Sequence, residues 1–210
     1  MDKFKIVKDT PYLETIVGPM YSGKSQEINR RLINIDYYNQ HRIKDFDGSD
    51  TVNYIILRPD IDTRSEEVRK VPYKEKNWKS VPTNDLCHDT EGNFINLFED
   101  YDYVILDEAQ FFKFEVAEQV RMLLEDNKYV IICGLDKDYK AEPFSKFMMW
   151  AITTSDEVTK LTAICAKCGA PSTMQKLVTS NPEEILEGNV IIEDEDHKYL
   201  PLCRKCFNSK

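Results

Sequence analysis

The stretch Gly18-Pro-Met-Tyr-Ser-Gly-Lys-Ser25 decides the fold, because it has the glycine and lysine spacing of a phosphate-binding loop. The segment Tyr12–Val17 comes directly before it and predicts a strand. After it, Ile28, Leu32 and Ile35 recur at i, i+4 and i+7, which predicts a helix with one apolar face. A strand, a glycine-rich loop and a helix in this order predict a site for phosphate groups.

Each residue type in this loop suits phosphate chemistry. Glycines allow main-chain N–H groups to turn inward, and the helix that follows adds positive potential at its N-terminus. Lys24 is expected to reach the β- and γ-phosphates, and the Ser25 hydroxyl to bind magnesium. A chance Gly/Ser turn is the alternative. The candidate phosphate-binding residues are Gly18, Pro19, Met20, Tyr21, Ser22, Gly23, Lys24 and Ser25.

Three more apolar runs along the chain predict further strands. They are residues 52–57 (VNYIIL), 103–106 (YVIL) and 129–133 (YVIIC). A helix is predicted from Val116, Val120 and Leu123, and a short amphipathic segment covers residues 144–150. Strands that alternate with helices predict an α/β fold with a parallel sheet, in which ligands bind at the carboxyl ends of the strands.

Two carboxylates, Asp107 and Glu108, directly follow the YVIL strand. A carboxylate at this position faces the magnesium that the loop serine binds, so Asp107 is the candidate metal ligand. Glu108 is then available to accept a proton from a hydroxyl group or to orient a water molecule, which are the kinase and hydrolase options. The alternative for both residues is an acidic helix start.

Four cysteines near the C-terminus form two Cys-x-x-Cys pairs, separated by the 34 residues from Gly169 to Leu202. Two such chelating pairs predict a closed, structural zinc site; an iron–sulfur cluster or a redox pair is the alternative. The candidate ligands are Cys165, Cys168, Cys203 and Cys206. Cys87 and Cys133 have no such partners and are predicted to be core residues, whereas His41, His88 and His197 are predicted to lie on the surface.

Charge and composition exclude other classes of protein. The 210 residues contain 28 Lys and Arg against 37 Asp and Glu, a net charge of −9, without a long basic run. A nucleic-acid partner is therefore not expected, because binding to the phosphate backbone needs clustered cations. Neither a membrane span nor a secretory signal is recognisable, so the cytoplasm is the expected compartment.

Six motifs in order resemble the thymidine kinases of the zinc-containing cytosolic type, over residues 12–207. Beside the phosphate loop they are Arg58-Pro-Asp-Ile-Asp-Thr-Arg64, Asp107-Glu-Ala-Gln-Phe-Phe112, Gly134-Leu-Asp136 with Pro143-Phe144, Leu161-Thr-Ala-Ile-Cys165, and Tyr199 followed by Cys203-Arg-x-Cys206.

The resemblance implies an ATP-dependent kinase that phosphorylates the 5′-hydroxyl of thymidine or deoxyuridine in nucleotide salvage. It implies a P-loop (RecA-like) sheet in residues 1–159 and a small zinc-ribbon-like domain with a lasso loop in residues 160–210. Lys24, Ser25 and Asp107 would bind phosphate and magnesium, with Asp62 and Arg64 nearby, and Glu108 would be the general base. The residues expected around the nucleoside are Met20, Phe111, Leu135, Tyr139, Phe144 and Tyr199. A homotetramer is also implied.

The more serious departures from the family lie in the lasso; milder ones are Arg58, where the family usually has lysine, and Tyr139, where it has phenylalanine. Lys176 stands where the family has an arginine, and Asp194 and Glu195 stand where it has a glycine pair. Two other functions remain as alternatives. A P-loop ATPase acting on nucleic acid would need a second motor domain and a basic surface, whereas a nucleotide sensor would bind ATP without catalysis.

Overall fold

The computed structural model describes residues 10–41, 51–61, 76–179 and 197–209. Six parallel strands form the main sheet: β1 (Tyr12–Val17), β2 (Tyr54–Pro59), β3 (Trp78–Val81), β4 (Tyr103–Leu106), β5 (Tyr129–Gly134) and β6 (Glu157–Lys160). They lie side by side in the order β3-β2-β4-β5-β1-β6. The predicted α/β fold with a parallel sheet is thus confirmed.

The four predicted strands form the centre of this sheet, and two strands that the sequence did not predict form its edges. β3 and β6 are four residues long, and their side chains are mostly partly or fully exposed. An edge strand is paired on one side only, so it does not need the continuous apolar run that marks a central parallel strand. That is why WKSV and EVTK carried too little signal.

Helices cover both faces of the sheet. The predicted helix residues Ile28, Leu32 and Ile35 pack on one face, against Ile16 and Ile56. The opposite face is packed by the helix that contains Val116, Val120 and Leu123, and by a second helix that contains Phe147. The helices of this part are α1 (Lys24–His41), α2 (Leu97–Asp100), α3 (Val116–Glu125) and α4 (Lys146–Thr154).

One ionic group is buried in the face covered by α1. Arg31 of α1 forms ion pairs with Glu14 of β1 and with Glu27, and Arg31 and Glu14 are each 1% exposed. The Tyr129 hydroxyl donates a hydrogen bond to Glu14 at 3.3 Å. The charges are therefore paired with one another inside an otherwise apolar layer, as buried charges need to be.

The C-terminal part of the described chain forms what we call the cysteine module, residues 163–179 and 197–209. Its strands pair antiparallel, β7 with β8 and β9 with β10. Its elements are β7 (Ala163–Ile164), β8 (Pro171–Ser172), β9 (Met174–Thr179), β10 (His197–Leu202) and α5 (Arg204–Asn208). The division proposed after residue 159 stays a prediction; the last strand of the main sheet ends at Lys160.

His197 corrects one prediction, because it is buried rather than on the surface. It begins β10, opposite Thr179 of β9, where the alternation of the strand turns its side chain inward. His41 and His88 are exposed as expected. Among the described helices, none combines the length and apolar character that crossing a membrane requires.

Candidate active site

Many of the predicted site residues that the structure describes lie at the carboxyl edge of the main sheet. β1 leads into the phosphate loop, β4 leads into Asp107 and Glu108, and β5 leads into Leu135 and Asp136. β5 lies between β1 and β4, so the segments that follow these three strands lie side by side. This is the crevice in which open α/β sheets bind their ligands.

The phosphate loop has the backbone that its glycines predict. Gly23 has a φ of +88°, a left-handed conformation that glycine adopts without a steric penalty. Helix α1 begins at the next residue, Lys24, so its N-terminus points into the loop. The Lys24 ammonium group donates hydrogen bonds to the carbonyl oxygens of Gly18, at 3.2 Å, and of Pro19, at 2.9 Å.

Gly18 is required for a different reason, which is the closeness of neighbouring atoms. A Cβ at this position would lie 2.6 Å from the Ser22 hydroxyl and 2.9 Å from the Leu161 carbonyl oxygen. Leu161 in turn donates its main-chain N–H to Val17 at 2.7 Å. The start of the loop is therefore in direct contact with the chain segment that leads from β6 to the cysteine module.

Asp107 is buried beside a cation that sequence reasoning did not assign to the site. Its carboxylate lies 3.6 Å from the guanidinium Nε of Arg58, at the end of the neighbouring strand β2. The Asp107 N–H also donates to Leu57 at 3.0 Å, so backbone and side chain are both held by β2. Carboxylate and hydroxyl oxygens are the ligands that Mg²⁺ prefers, so Asp107 and Ser25 fit such an ion chemically.

Glu108 has an unusual backbone conformation. Its φ is 51° and its ψ 38°, the left-handed region that non-glycine residues seldom adopt. Residues in such conformations are enriched at active sites, where the surrounding structure holds them. Here the holding contact is from Gln110, whose amide nitrogen donates to the Glu108 carboxylate at 2.6 Å.

Gln110 connects this carboxylate to the next strand. Its amide oxygen accepts a hydrogen bond from the Leu135 N–H at 3.0 Å, and the residue is only 3% exposed. The close fit depends on Gly134, where a Cβ would lie 2.7 Å from that amide oxygen. Gln110 was not among the predicted site residues, although it belongs to the motif Asp107-Glu-Ala-Gln that carried the family resemblance.

Aromatic residues lie next to these carboxylates. Phe111 and Phe144, both partly buried, meet edge to face with ring centres 5.8 Å apart. Phe112 by contrast belongs to the core, where it packs against Phe147, and Phe114 is exposed. Only Phe111 of the three is thus available to line a pocket for a flat base.

The other residues expected around the nucleoside differ in burial. Leu135 and Tyr199 are buried, whereas Met20 and Tyr139 are partly buried. Tyr139 lies in the loop after β5, with the Lys140 ammonium group 5.4 Å from its ring centre.

Asp136 ties the loop after β5 to the edge strand β6. Its carboxylate accepts from the Lys137 and Lys160 ammonium groups, each at 2.6 Å. Burial alone would raise the pKa of this carboxyl, but the two ammonium groups outweigh burial and lower it. Asp136 is therefore ionised at neutral pH and acts as a structural anchor within the loop.

The four predicted metal ligands come together in the cysteine module. All four sulfur atoms of Cys165, Cys168, Cys203 and Cys206 lie within 4.8 Å of one another. A tetrahedral zinc ion about 2.3 Å from each sulfur needs them roughly 3.8 Å apart, and the Cys168 and Cys203 sulfurs are 3.6 Å apart. The cluster fits a single zinc ion. Cys133, by contrast, is fully buried in the core, and burial raises the pKa of its thiol.

Some predicted residues fall outside the described part of the chain. Asp62 and Arg64 do, and so do residues 180–196 of the lasso, with Asp194 and Glu195. Lys176 is described and is exposed on β9. Its neighbour Gln175 points inward and contacts the phosphate loop, a contact that no local sequence signal indicated.

Known proteins resemble this chain over nearly its whole length. A family model described as "Thymidine kinase" matches residues 11–207. A thymidine kinase of Rhodothermus sp. (strain ITI 518) is 34% identical over 199 residues, which are 93% of this chain and 81% of that protein.

Proposed function

The chain belongs to the thymidine kinase family, and from this premise we propose which of its residues transfer the phosphoryl group of ATP to thymidine. It is a kinase, and the family implies that ATP and a nucleoside are its substrates. The 5′-hydroxyl oxygen of the nucleoside would attack the γ-phosphorus. The bond between that phosphorus and the β,γ-bridging oxygen would break, so that ADP leaves.

We assign the phosphate side of the reaction to the loop at residues 18–25. Main-chain N–H groups and the N-terminus of α1 would bind the phosphates, and Lys24 would exchange its bonds to the Gly18 and Pro19 carbonyls for phosphate oxygens. Ser25 and Asp107 would hold magnesium, which supplies charge neutralisation at the β- and γ-oxygens. Arg58 would keep the Asp107 carboxylate in place.

We assign the general base to Glu108. The proton of the attacking hydroxyl would pass to its carboxylate as the new P–O bond forms. The observation that carries this assignment is the hydrogen bond of 2.6 Å from Gln110 to the Glu108 carboxylate. This bond restrains Glu108 at the end of β4, beside Asp107, which is assigned to magnesium. Both this bond and the left-handed backbone orient Glu108 before substrate arrives, which is the preorganisation that proton transfer needs.

The nucleoside base would lie against Phe111 and Phe144. Their edge-to-face pair leaves aromatic surface beside Glu108, and Leu135 follows the strand end next to it. Met20, Tyr139 and Tyr199 are proposed to complete the enclosure. A nucleic-acid-dependent ATPase is not favoured, because the net charge is −9 and the family match covers nearly the whole chain.

The central test is Glu108→Gln, which keeps the size of the side chain but removes its ability to accept a proton. Turnover on thymidine should fall by about 10²- to 10⁴-fold. The decrease should be near 10²-fold if the proton leaves the hydroxyl late in phosphoryl transfer. Affinity for ATP should stay near that of the wild type, because Lys24, Ser25 and Asp107 are intact. Wild-type turnover across the pH range would remove Glu108 from the mechanism, and ATP binding without any turnover in the wild type would favour a sensor.

The resemblance to the zinc-containing cytosolic type supports two further features, and we propose them on that basis. We expect the protein to be a homotetramer, and light scattering should give a mass about four times that of the 24.6 kDa chain. We expect it in the cytoplasm, which fractionation of the source cells would check.

A further inference from the structure

A buried glutamine of the cysteine module is bonded to two loops of the kinase site. Gln175 lies on β9 and is only 1% exposed. Its amide oxygen accepts a hydrogen bond from the Met20 N–H at 2.9 Å, and its amide nitrogen donates to the Lys137 carbonyl at 3.1 Å. We propose that Gln175 is a positioning residue, through which the cysteine module holds the phosphate loop in its ATP-binding geometry.

The two partners of Gln175 belong to the two loops that the site requires. Met20 lies within the phosphate loop, between the start of the loop at Gly18 and the left-handed turn at Gly23. Lys137 lies in the loop after β5, two residues beyond Leu135. One side chain therefore sets the distance between these two loops. Both polar atoms of its amide are bonded to main-chain atoms, so Gln175 acts on substrates through the loops.

A short path of neighbouring residues leads from Gln175 to the metal ligands. Pro201 of β10 lies opposite Gln175 in the register of the two strands. The Pro201 carbonyl accepts a hydrogen bond of 2.9 Å from Ala166, which lies between Cys165 and Cys168 in the chain. A change at the cysteines would thus reach Gln175 through one strand pair.

A second contact braces the same loop from the same side. The Leu161 carbonyl oxygen lies against Gly18, at 2.9 Å from the place where a Cβ would stand. Leu161 leaves the main sheet just before the cysteine module begins at Ala163. The loop is therefore supported at two points, near its start by the connecting segment and at Met20 by β9.

This arrangement predicts that metal and ATP binding are coupled. If the module holds the loop in the form that binds ATP, bound ATP must in turn stabilise the module, because coupling between two sites is reciprocal. The inference rests on the proposed function of the loop as the ATP site. It goes beyond that function, since the cysteines would contribute to ATP binding although they touch no phosphate.

The chain offers a matched control for testing this role. Gln119 on α3 makes the same kind of bridge, because its oxygen accepts from Leu86 N–H at 2.8 Å and its nitrogen donates to the Asn84 carbonyl at 2.9 Å. Methionine has nearly the same shape as glutamine and lacks both hydrogen-bonding groups. Gln175→Met and Gln119→Met therefore each remove two hydrogen bonds to main-chain groups. The bonds of Gln175 are next to the phosphate loop, whereas those of the less buried Gln119 are away from it.

The first measurement is the dissociation constant of ATP for the metal-loaded wild type and both variants, with thermal unfolding and zinc content of each. Gln175→Met should weaken ATP binding about tenfold, the scale of one lost hydrogen bond, while Gln119→Met leaves it unchanged. Equal ATP affinity in the wild type and a folded Gln175→Met would overturn the proposal. If the wild type itself binds no ATP, the proposed function fails instead.

The second measurement needs no variant and decides the question if Gln175→Met does not fold. The rate at which wild-type protein loses zinc to a colorimetric chelator is followed with and without saturating Mg-ATP. We expect ATP to slow the loss several-fold in the wild type. A rate that ATP does not change in the wild type would also overturn the proposal.

Discussion

Gly134→Ala tests the packing that holds the proposed base, because the added methyl group has no space. Its Cβ would lie 2.7 Å from the side-chain amide oxygen of Gln110, 3.0 Å from the main-chain nitrogen of Gln110 and 3.2 Å from the main-chain nitrogen of Ala109. Two of these neighbours are backbone atoms at the turn after β4, which cannot move aside as a flexible side chain would. The turn that carries Glu108 must therefore shift away from β5.

The expected size of the effect follows from these contacts. Overpacking of this kind costs about 1 to 3 kcal/mol, and a buried N–H left without an acceptor costs about the same. The N–H at risk is that of Leu135, which donates to Gln110 at 3.0 Å. Because the shift that relieves the overlap also breaks this bond, the two effects overlap, and we expect a total loss of about 2 to 4 kcal/mol.

Catalysis should fall as well, since the same movement disturbs the bond from Gln110 to Glu108. A misplacement of a catalytic group by about 1 Å can lower the rate about 100-fold, so kcat should fall by about 10- to 100-fold. Urea unfolding gives the stability, and steady-state kinetics with thymidine gives kcat on the same preparation.

Gly92→Ala is the control for this experiment. Gly92 has a φ of +84° and nothing within 4 Å of its would-be Cβ, so alanine meets only conformational strain of about 1 kcal/mol there. Its kcat should equal that of the wild type. The reasoning is refuted if Gly134→Ala is no less stable than Gly92→Ala and turns over at the wild-type rate.

Three other substitutions give separate outcomes. Lys24→Met should abolish most of the activity with little change in unfolding free energy, because within the described part of the chain its ammonium group bonds to two loop carbonyls; kinetics with urea unfolding checks this. Cys203→Ser should lose the metal and weaken nucleoside binding more than ATP binding, as metal analysis with two binding titrations would show; iron in the wild type would contradict the zinc assignment. The pKa of Asp136 is lower in the folded protein than in the unfolded chain, so the ionised carboxylate stabilises the fold. This stabilisation is complete above the ordinary carboxyl pKa of about 4 and is lost as pH falls through the lowered pKa. The Tm difference between wild type and Asp136→Asn should therefore shrink towards acid pH.

Much of the main sheet could be predicted because its central strands are buried on both faces. Residues such as Val104, Ile105 and Leu106 are all apolar, and so continuous a run is typical of a parallel strand that is buried on both faces. The phosphate loop and the cysteine pairs were predictable for a different reason: their chemistry depends on short spacings within the chain. The edge strands lack both kinds of signal.

The contacts that join the parts of the site could not be predicted from the sequence. Gln110 and Gln175 are glutamines without local pattern, and their partners lie 25 and 155 residues away along the chain, at Leu135 and Met20. The left-handed backbone of Glu108 is equally hidden, because glutamate does not favour it. Each of these features arises only when distant strands are brought together, which is tertiary information.

The buried pair between Arg31 and Glu14 fixes the position of α1 along its own axis. A helix packed through aliphatic side chains alone can slide by a turn of about 5.4 Å and find similar contacts. Here such a slide would leave a buried charge without its partner, which costs about 3 to 5 kcal/mol. Arg31 lies two turns, about 10 Å, beyond Lys24 on the same helix. The ion pair thus prevents the whole helix from sliding along its axis, and it determines how far Lys24 and Ser25 project into the site.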